Sequence, residues 1–318
     1  MGAPSYGKRK NQRREGTVSL AGMARTCGGL FLDSGAHSLY HEHTLGKPRA
    51  ERYSWYIDPK RGLSKAFRDY MEEYAEFILQ NEHGIDFYVT VDAIYNPEIS
   101  WEATKYMVQL GLDPVPVIHH KTPMRWVDKY LEAGYKYLGV GGLGQESTRH
   151  SYTDWADEFY RLICPSPSYK PIAKTHGFAM TSYPLLLRYP WYSIDSASWA
   201  KAAGFGMILV PHKRNGNFTF DESPYAIGIS CDSVAKCAQG QHYESLAPAE
   251  RKIVREWLDF IDMPLGAVDD NRKTLKYGVR SEYNARAVAN LKFFTTLCEW
   301  LPTWPWPFKA RVKKGLLA

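Results

Sequence analysis

Six short apolar or strand-like runs in this chain end in residues that could do chemistry. Leu30-Phe31-Leu32 leads into Asp33-Ser34-Gly35-Ala36, and Ile85 to Val91 leads into Asp92. Val115 to Ile118 leads into His119-His120, and Tyr137 to Val140 into Gly141-Gly142. Pro171 to Thr175 leads into His176-Gly177, and Trp191 to Ile194 into Asp195. An apolar run that ends in polar or turn residues is how a parallel sheet delivers side chains to its C-terminal edge. Asp33 alone could cap the next helix or act as a working group. Three acids around one rim are harder to assign to packing, because a buried unpaired carboxylate is costly. Two chemistries are open. Asp and His could act as hard metal ligands. Alternatively, paired carboxylates could serve as general acid and nucleophile, as in glycosyl transfer. The glycine pair favours the second, since backbone without side chains lets a flat ring approach and meet exposed N–H groups.

Helical patterns separate these runs. Phe67, Tyr70, Met71, Tyr74, Phe77 and Ile78 share one face of a helix over about 63–80. Further helices are expected at about 100–110, from Thr122-Pro123 to about 133, at 152–163 and at 182–188. Strands alternating with helices predict a parallel sheet. Six such units with polar signals at their C-terminal ends predict an α/β (β/α)8 TIM-like barrel over residues 25–300. After Asp195 the rhythm changes. Lys213-Arg214-Asn215-Gly216 between two apolar runs signals a hairpin, and 204–230 reads as an antiparallel insertion after strand six. C-terminal helices are expected at 248–262 and 281–299, the last burying Ala285, Val288, Leu291, Phe294 and Leu297.

The chain has 318 residues, 44% of them hydrophobic, enough for a large core. No run reaches the roughly 18 apolar residues of a membrane span. The basic N-terminus has no following apolar stretch, so no secretory signal is expected. Five scattered cysteines fit reduced thiols and a cytoplasmic location better than a disulfide frame. Net charge is +6, with an excess at both ends. Lys8, Arg9, Lys10, Arg13 and Arg14 lie in an expected flexible arm over 1–24. Lys309, Arg311, Lys313 and Lys314 lie in a Trp/Pro-rich tail over 301–318. Basic ends suit a polyanion partner, or simply solubility.

The order Asp33-Ser34-Gly35-Ala36-His37-Ser38, Asp92 followed by Pro97, Gly139-Val140-Gly141-Gly142-Leu143, Ile194-Asp195 and the Asn215-Gly216 hairpin resembles tRNA-guanine transglycosylases. The likeness covers about residues 29–230. It implies that Asp195 is a nucleophile that attacks C1′ of a guanosine unit, giving a covalent glycosyl-aspartate. Asp33, with Ser34 beside it, would be the general acid/base for the leaving and entering bases. Asp92 would accept from the purine N1 and amine, and the amides of Gly141 and Gly142 would meet the base carbonyl. His37 and Met180 would sandwich the ring, and His119 would stand where the family has a Gln reading the base edge.

Departures are informative. Ala36 replaces a glycine of the family motif, and His37-Ser38 replace an aromatic and a Gln. The family's zinc ligands, three closely spaced Cys and a later His, reduce here to Cys231, Cys237 and His242, so no cofactor or metal is expected. That absence and the short chain resemble the phage and bacterial branch acting on DNA. That branch exchanges guanine for a 7-deazaguanine such as preQ0, protecting phage genomes from restriction. Lys8, Arg9, Lys10, Arg13, Arg14, Lys213 and Arg214 would then contact the nucleic-acid backbone, and the target base would leave the stack. Trp304, Trp306 and Phe308 could stack on bases, although packing against the body of the protein is the favoured reading. Exchange on tRNA, a non-catalytic nucleic-acid-binding barrel and a metal-dependent hydrolase are the alternatives. The sequence leaves the oligomeric state open.

Overall fold

The computed structural model describes residues 29–142, 149–180, 182–232, 240–269 and 274–308. The basic arm, Cys27, Leu143, Cys237 and the basic residues after 308 lie outside these. The chain divides into two compact units. The first holds the described residues to Phe178, with Trp191–Ser193 and Pro307-Phe308. The second holds Ala179–Pro190 and Ile194–Trp306.

In the first unit, β1 (Phe31–Leu32) is followed by α1 (Ala36–His43), a hairpin of β2 (Ile57–Asp58) and β3 (Gly62–Leu63), and α2 (Lys65–Gln80). Next come β4 (Phe87–Tyr88), α3 (Pro97–Gln109), β5 (Val117–His119) and α4 (Met124–Glu132). β6 (Tyr137–Gly141), α5 (Arg149–Ile163) and β7 (Lys174–Gly177) follow. After α6 (Tyr183–Arg188), the boundary between the units falls inside β8 (Ser193–Ile194).

β1 pairs with β4 in parallel, and a parallel bridge joins Val89 to Val115. β5 and β6 pair with His119 opposite Gly141, and β7 lies parallel to β6. The strand–helix alternation expected from the sequence is therefore present. The fold is mixed α/β with several sheets, and no closed ring of strands is detected among the described residues.

α2 shows why its stretch is helical. Ser64 Oγ accepts the Phe67 N–H at 3.1 Å, capping the first turn. Phe67, Tyr70, Met71, Tyr74 and Ile78 are buried on one face, as their spacing predicts. α3 begins earlier than expected, because Asn96 Oδ1 accepts from Ile99 N and Pro97 sits at the first helical position. The two helices enclose one core with Val91 and Ala93 from the chain beyond β4.

The second unit continues with α7 (Ser198–Gly204), β9 (Met207–Val210), β10 (His212–Arg214), β11 (Asn217–Thr219) and β12 (Tyr225–Gly228). Then come α8 (Pro248–Phe260), β13 (Ala267–Val268), β14 (Thr274–Lys276) and α9 (Tyr283–Trp300). The Asn-Gly hairpin forms as read. β10 and β11 pair antiparallel, with φ of 50° at Asn215 and 84° at Gly216, the left-handed pair that a two-residue turn needs. β9 and β12 also pair antiparallel.

α9 corrects the expected stripe. Ala285 and Leu297 are buried, but Val288 and Leu291 are exposed, and Phe294 is only half-buried. The inward face instead carries Arg286, Ala289, Asn290 and Phe293. Arg286 donates to the carbonyls of Ala203 and Val279. Asn290 Oδ1 accepts from Leu209 N at 2.8 Å, while its Nδ2 donates to Trp199 O at 3.0 Å and Met207 O at 3.2 Å. Those bonds hold α7 and β9 to α9, so Asn290→Ala is expected to lower unfolding free energy by about 3 kcal/mol, since it strands buried backbone groups. Urea denaturation checks this; a loss below about 0.5 kcal/mol would show that the three bonds contribute no net stability.

The C-terminal aromatics pack within their own units. Trp304 Nε1 donates to Pro190 O at 3.2 Å in the second. Phe308 is buried in the first, its ring 5.7 Å from that of Tyr160.

Candidate functional site

The polar centre of the first unit lies at the C-terminal ends of β4 and β5. Asp92 is 3% exposed and His119 9% exposed. His119 Nε2 donates to Asp92 Oδ2 at 2.6 Å. Burial, the larger cause, and the nearby Asp92 charge push up the phenols of Tyr56 and Tyr130, so the carboxylate sits among aromatic side chains. His119 Nδ1 is buried and has no hydrogen-bond partner among the described residues. A carboxylate that fixes one imidazole nitrogen and leaves the other unmatched is poised to offer that nitrogen to a ligand.

Gly141 allows this arrangement. A Cβ there would lie 2.8 Å from His119 Cε1 and 2.9 Å from Nδ1. Only glycine lets the ring lie over β6. Gly141→Ala is therefore expected to displace the imidazole, lengthen the Asp92 contact and lower stability by about 1–3 kcal/mol. A shifted His119 ring resonance with reduced melting temperature would register it; an unchanged imidazole spectrum would refute it. Gly142 has φ 77°, and Tyr95 Oη lies near the position of its missing Cβ. Tyr95, itself left-handed at φ 62°, sets its ring 5.7 Å from His119 and 5.8 Å from Tyr40. The sequence reading missed Tyr95; its one signal is the place just before the Asn96-Pro97 helix start.

Asp33 is exposed and is not the helix cap, which is Gly35 with no side-chain bond. Its Oδ1 accepts from Ser34 N at 2.8 Å. Ser34 is buried, its carbonyl accepts from Tyr70 Oη, and its Oγ has no partner among the described residues. His37 stands near Asp33 and His119. Partial desolvation and then His41 lower its pKa, Asp33 opposes this, and His119 adds to it. Asp33, His37, Asp92, His119 and Gly141 thus gather in one unit.

Asp195 and Met180 belong to the other unit. Asp195 is exposed; its Oδ1 accepts from Ala179 N at 2.8 Å and its carbonyl from Met180 N at 2.9 Å. Ala179 has φ 47°, a strained conformation for a residue with a side chain, so the turn beneath Asp195 is held by that residue's own carboxylate and carbonyl. Met180 is buried.

The hairpin cations have partners. Lys213 Nζ meets Glu256 at 2.7 Å, and Arg214 meets Asp221 at 2.6 Å and also Glu222. Contact with a phosphate would require them to exchange these acids. His242 uses both ring nitrogens on backbone, Nε2 donating to Ser230 O and Nδ1 accepting from Glu244 N. Cys231 is a free, half-buried thiol. No group of three or more His, Cys, Asp or Glu arranged to hold a metal is found among the described residues. None of their helices is long and apolar enough to cross a membrane. Comparison with protein-family models, curated proteins and solved structures returns no match.

Proposed function

We propose that this protein is a DNA-guanine transglycosylase, a pentosyltransferase that replaces guanine with a 7-deazaguanine such as preQ0. The observation that carries the reading is the buried Asp92–His119 pair lying over Gly141. A buried carboxylate offers only acceptors and an imidazole supplies either role, which suits the donor-rich edge of guanine. In the proposed complex, guanine N1–H and its amine bond Asp92, His119 reads the neighbouring edge, and the chain at Gly141-Gly142 faces the carbonyl. His37 stacks on the ring.

In the proposed reaction, an Asp195 carboxylate oxygen attacks C1′ and the bond from C1′ to the base nitrogen breaks. Asp33 passes a proton to the departing guanine. The incoming deazapurine loses a proton to Asp33 and attacks C1′, releasing Asp195. A (β/α)8 arrangement of the strands goes with this chemistry. The basic arm and hairpin cations would hold the backbone, in the cytoplasm, of a host cell if the protein is phage-encoded.

The test incubates the protein with preQ0 and duplex DNA carrying labelled guanine, and in parallel with labelled tRNA. Guanine release with deazaguanosine appearing in digested DNA supports the proposal. Release from tRNA alone moves the activity to that substrate. Release from neither overturns it.

A further inference from the structure

His37 and His41 sit four residues apart on α1, so their side chains share one face of the helix. Both are exposed. Their rings lie 4.4 Å apart between centroids, and their Nε2 atoms face each other at 3.3 Å. Two imidazole nitrogens at that separation can share a proton or a metal. With Zn–N bonds of about 2.0–2.1 Å, the edge of a tetrahedral site is about 3.3–3.4 Å. We infer that His37 and His41 form a binding site for a divalent transition metal of the zinc, nickel or copper type. Imidazole pairs at this helical spacing select such ions over magnesium or calcium, which prefer oxygen.

Surroundings favour it. Asp33 lies close enough for its charge to act on His37, which would favour a cation there. Since no third protein ligand joins them among the described residues, water or an oxygen or nitrogen of a bound ligand completes the sphere. The site goes beyond base exchange and does not depend on it.

The test titrates the full-length protein with Zn2+ against a chromophoric chelator and records the visible absorption of added Co2+. Wild type is expected to bind an equivalent that His37→Ala and His41→Ala each weaken about tenfold or more. His83→Ala, at a side chain 93% exposed elsewhere in the first unit, should leave it unchanged. Circular dichroism of both variants confirms that α1 remains folded. No Zn2+ binding by wild type, or binding equally strong in the His37→Ala/His41→Ala double variant, overturns the inference. Because the readout is metal affinity, failure of base exchange leaves this result standing, and the reverse holds too.

Discussion

In Asp195→Asn, base exchange is expected to drop to background and no covalent adduct to form, while the fold remains intact. The amide oxygen of Asn can accept the Ala179 N–H as the carboxylate does at 2.8 Å, and the backbone bond from Met180 is untouched. What the substitution removes is the charged nucleophile. The variant therefore separates chemistry from structure better than alanine would, since alanine would also free the strained turn at Ala179. Labelled guanine exchange and mass spectrometry of denatured protein after incubation with DNA give the readouts. A variant that exchanges at the wild-type rate would remove Asp195 from the mechanism.

Asp92→Ala is expected to lower stability by about 3 kcal/mol, the scale for leaving a buried hydrogen-bonding group unmatched. Asp92 is 3% exposed and accepts from His119 Nε2; His119 Nδ1 already lacks a partner among the described residues. Without the carboxylate, both imidazole nitrogens are left in a buried site. A domain stable by about 5–15 kcal/mol would lose a large share of its margin. Asp92→Asn, whose oxygen can still accept from Nε2, is expected to lose only about 1 kcal/mol. Both should also lose purine binding, since alanine offers no acceptor and the asparagine amide presents a donor where two acceptors are needed. Equilibrium unfolding of the pair of variants decides the matter; equal stability in Asp92→Ala and wild type would show that the contact does not tie the chain beyond β4 to β5.

Much of the first unit could be read from residue order. Acids and histidines after short apolar runs stand at strand ends, because a parallel strand feeds its next helix from that edge. The α2 stripe and the Asn215-Gly216 turn follow from local spacing and backbone preference alone. Other features depend on partners distant in sequence. Nothing near Asp92 announces that His119, 27 residues on, will bond it. α1 lacks a strong apolar period, burying Ala36 and Leu39, so its extent and its pairing of His37 with His41 are not legible in the sequence. In α9 the apolar pattern pointed to the wrong face, since Arg286 and Asn290 find carbonyls and amides inside while Val288 and Leu291 face out. The division into two units left no trace in composition, the chain crossing between them within residues 178–194 and again after Trp306.

The polar seam of α9 bears on how many ways the second unit can assemble. Greasy contacts tolerate a helix sliding by a turn, because one aliphatic surface substitutes for another. Asn290 does not allow that: its one acceptor and two donor bonds meet a single amide and two carbonyls on α7 and β9, and a slip of one turn, about 5.4 Å, leaves all three unmatched. The side chain thus acts as an alignment pin, trading some burial energy for one unambiguous seating of the last helix.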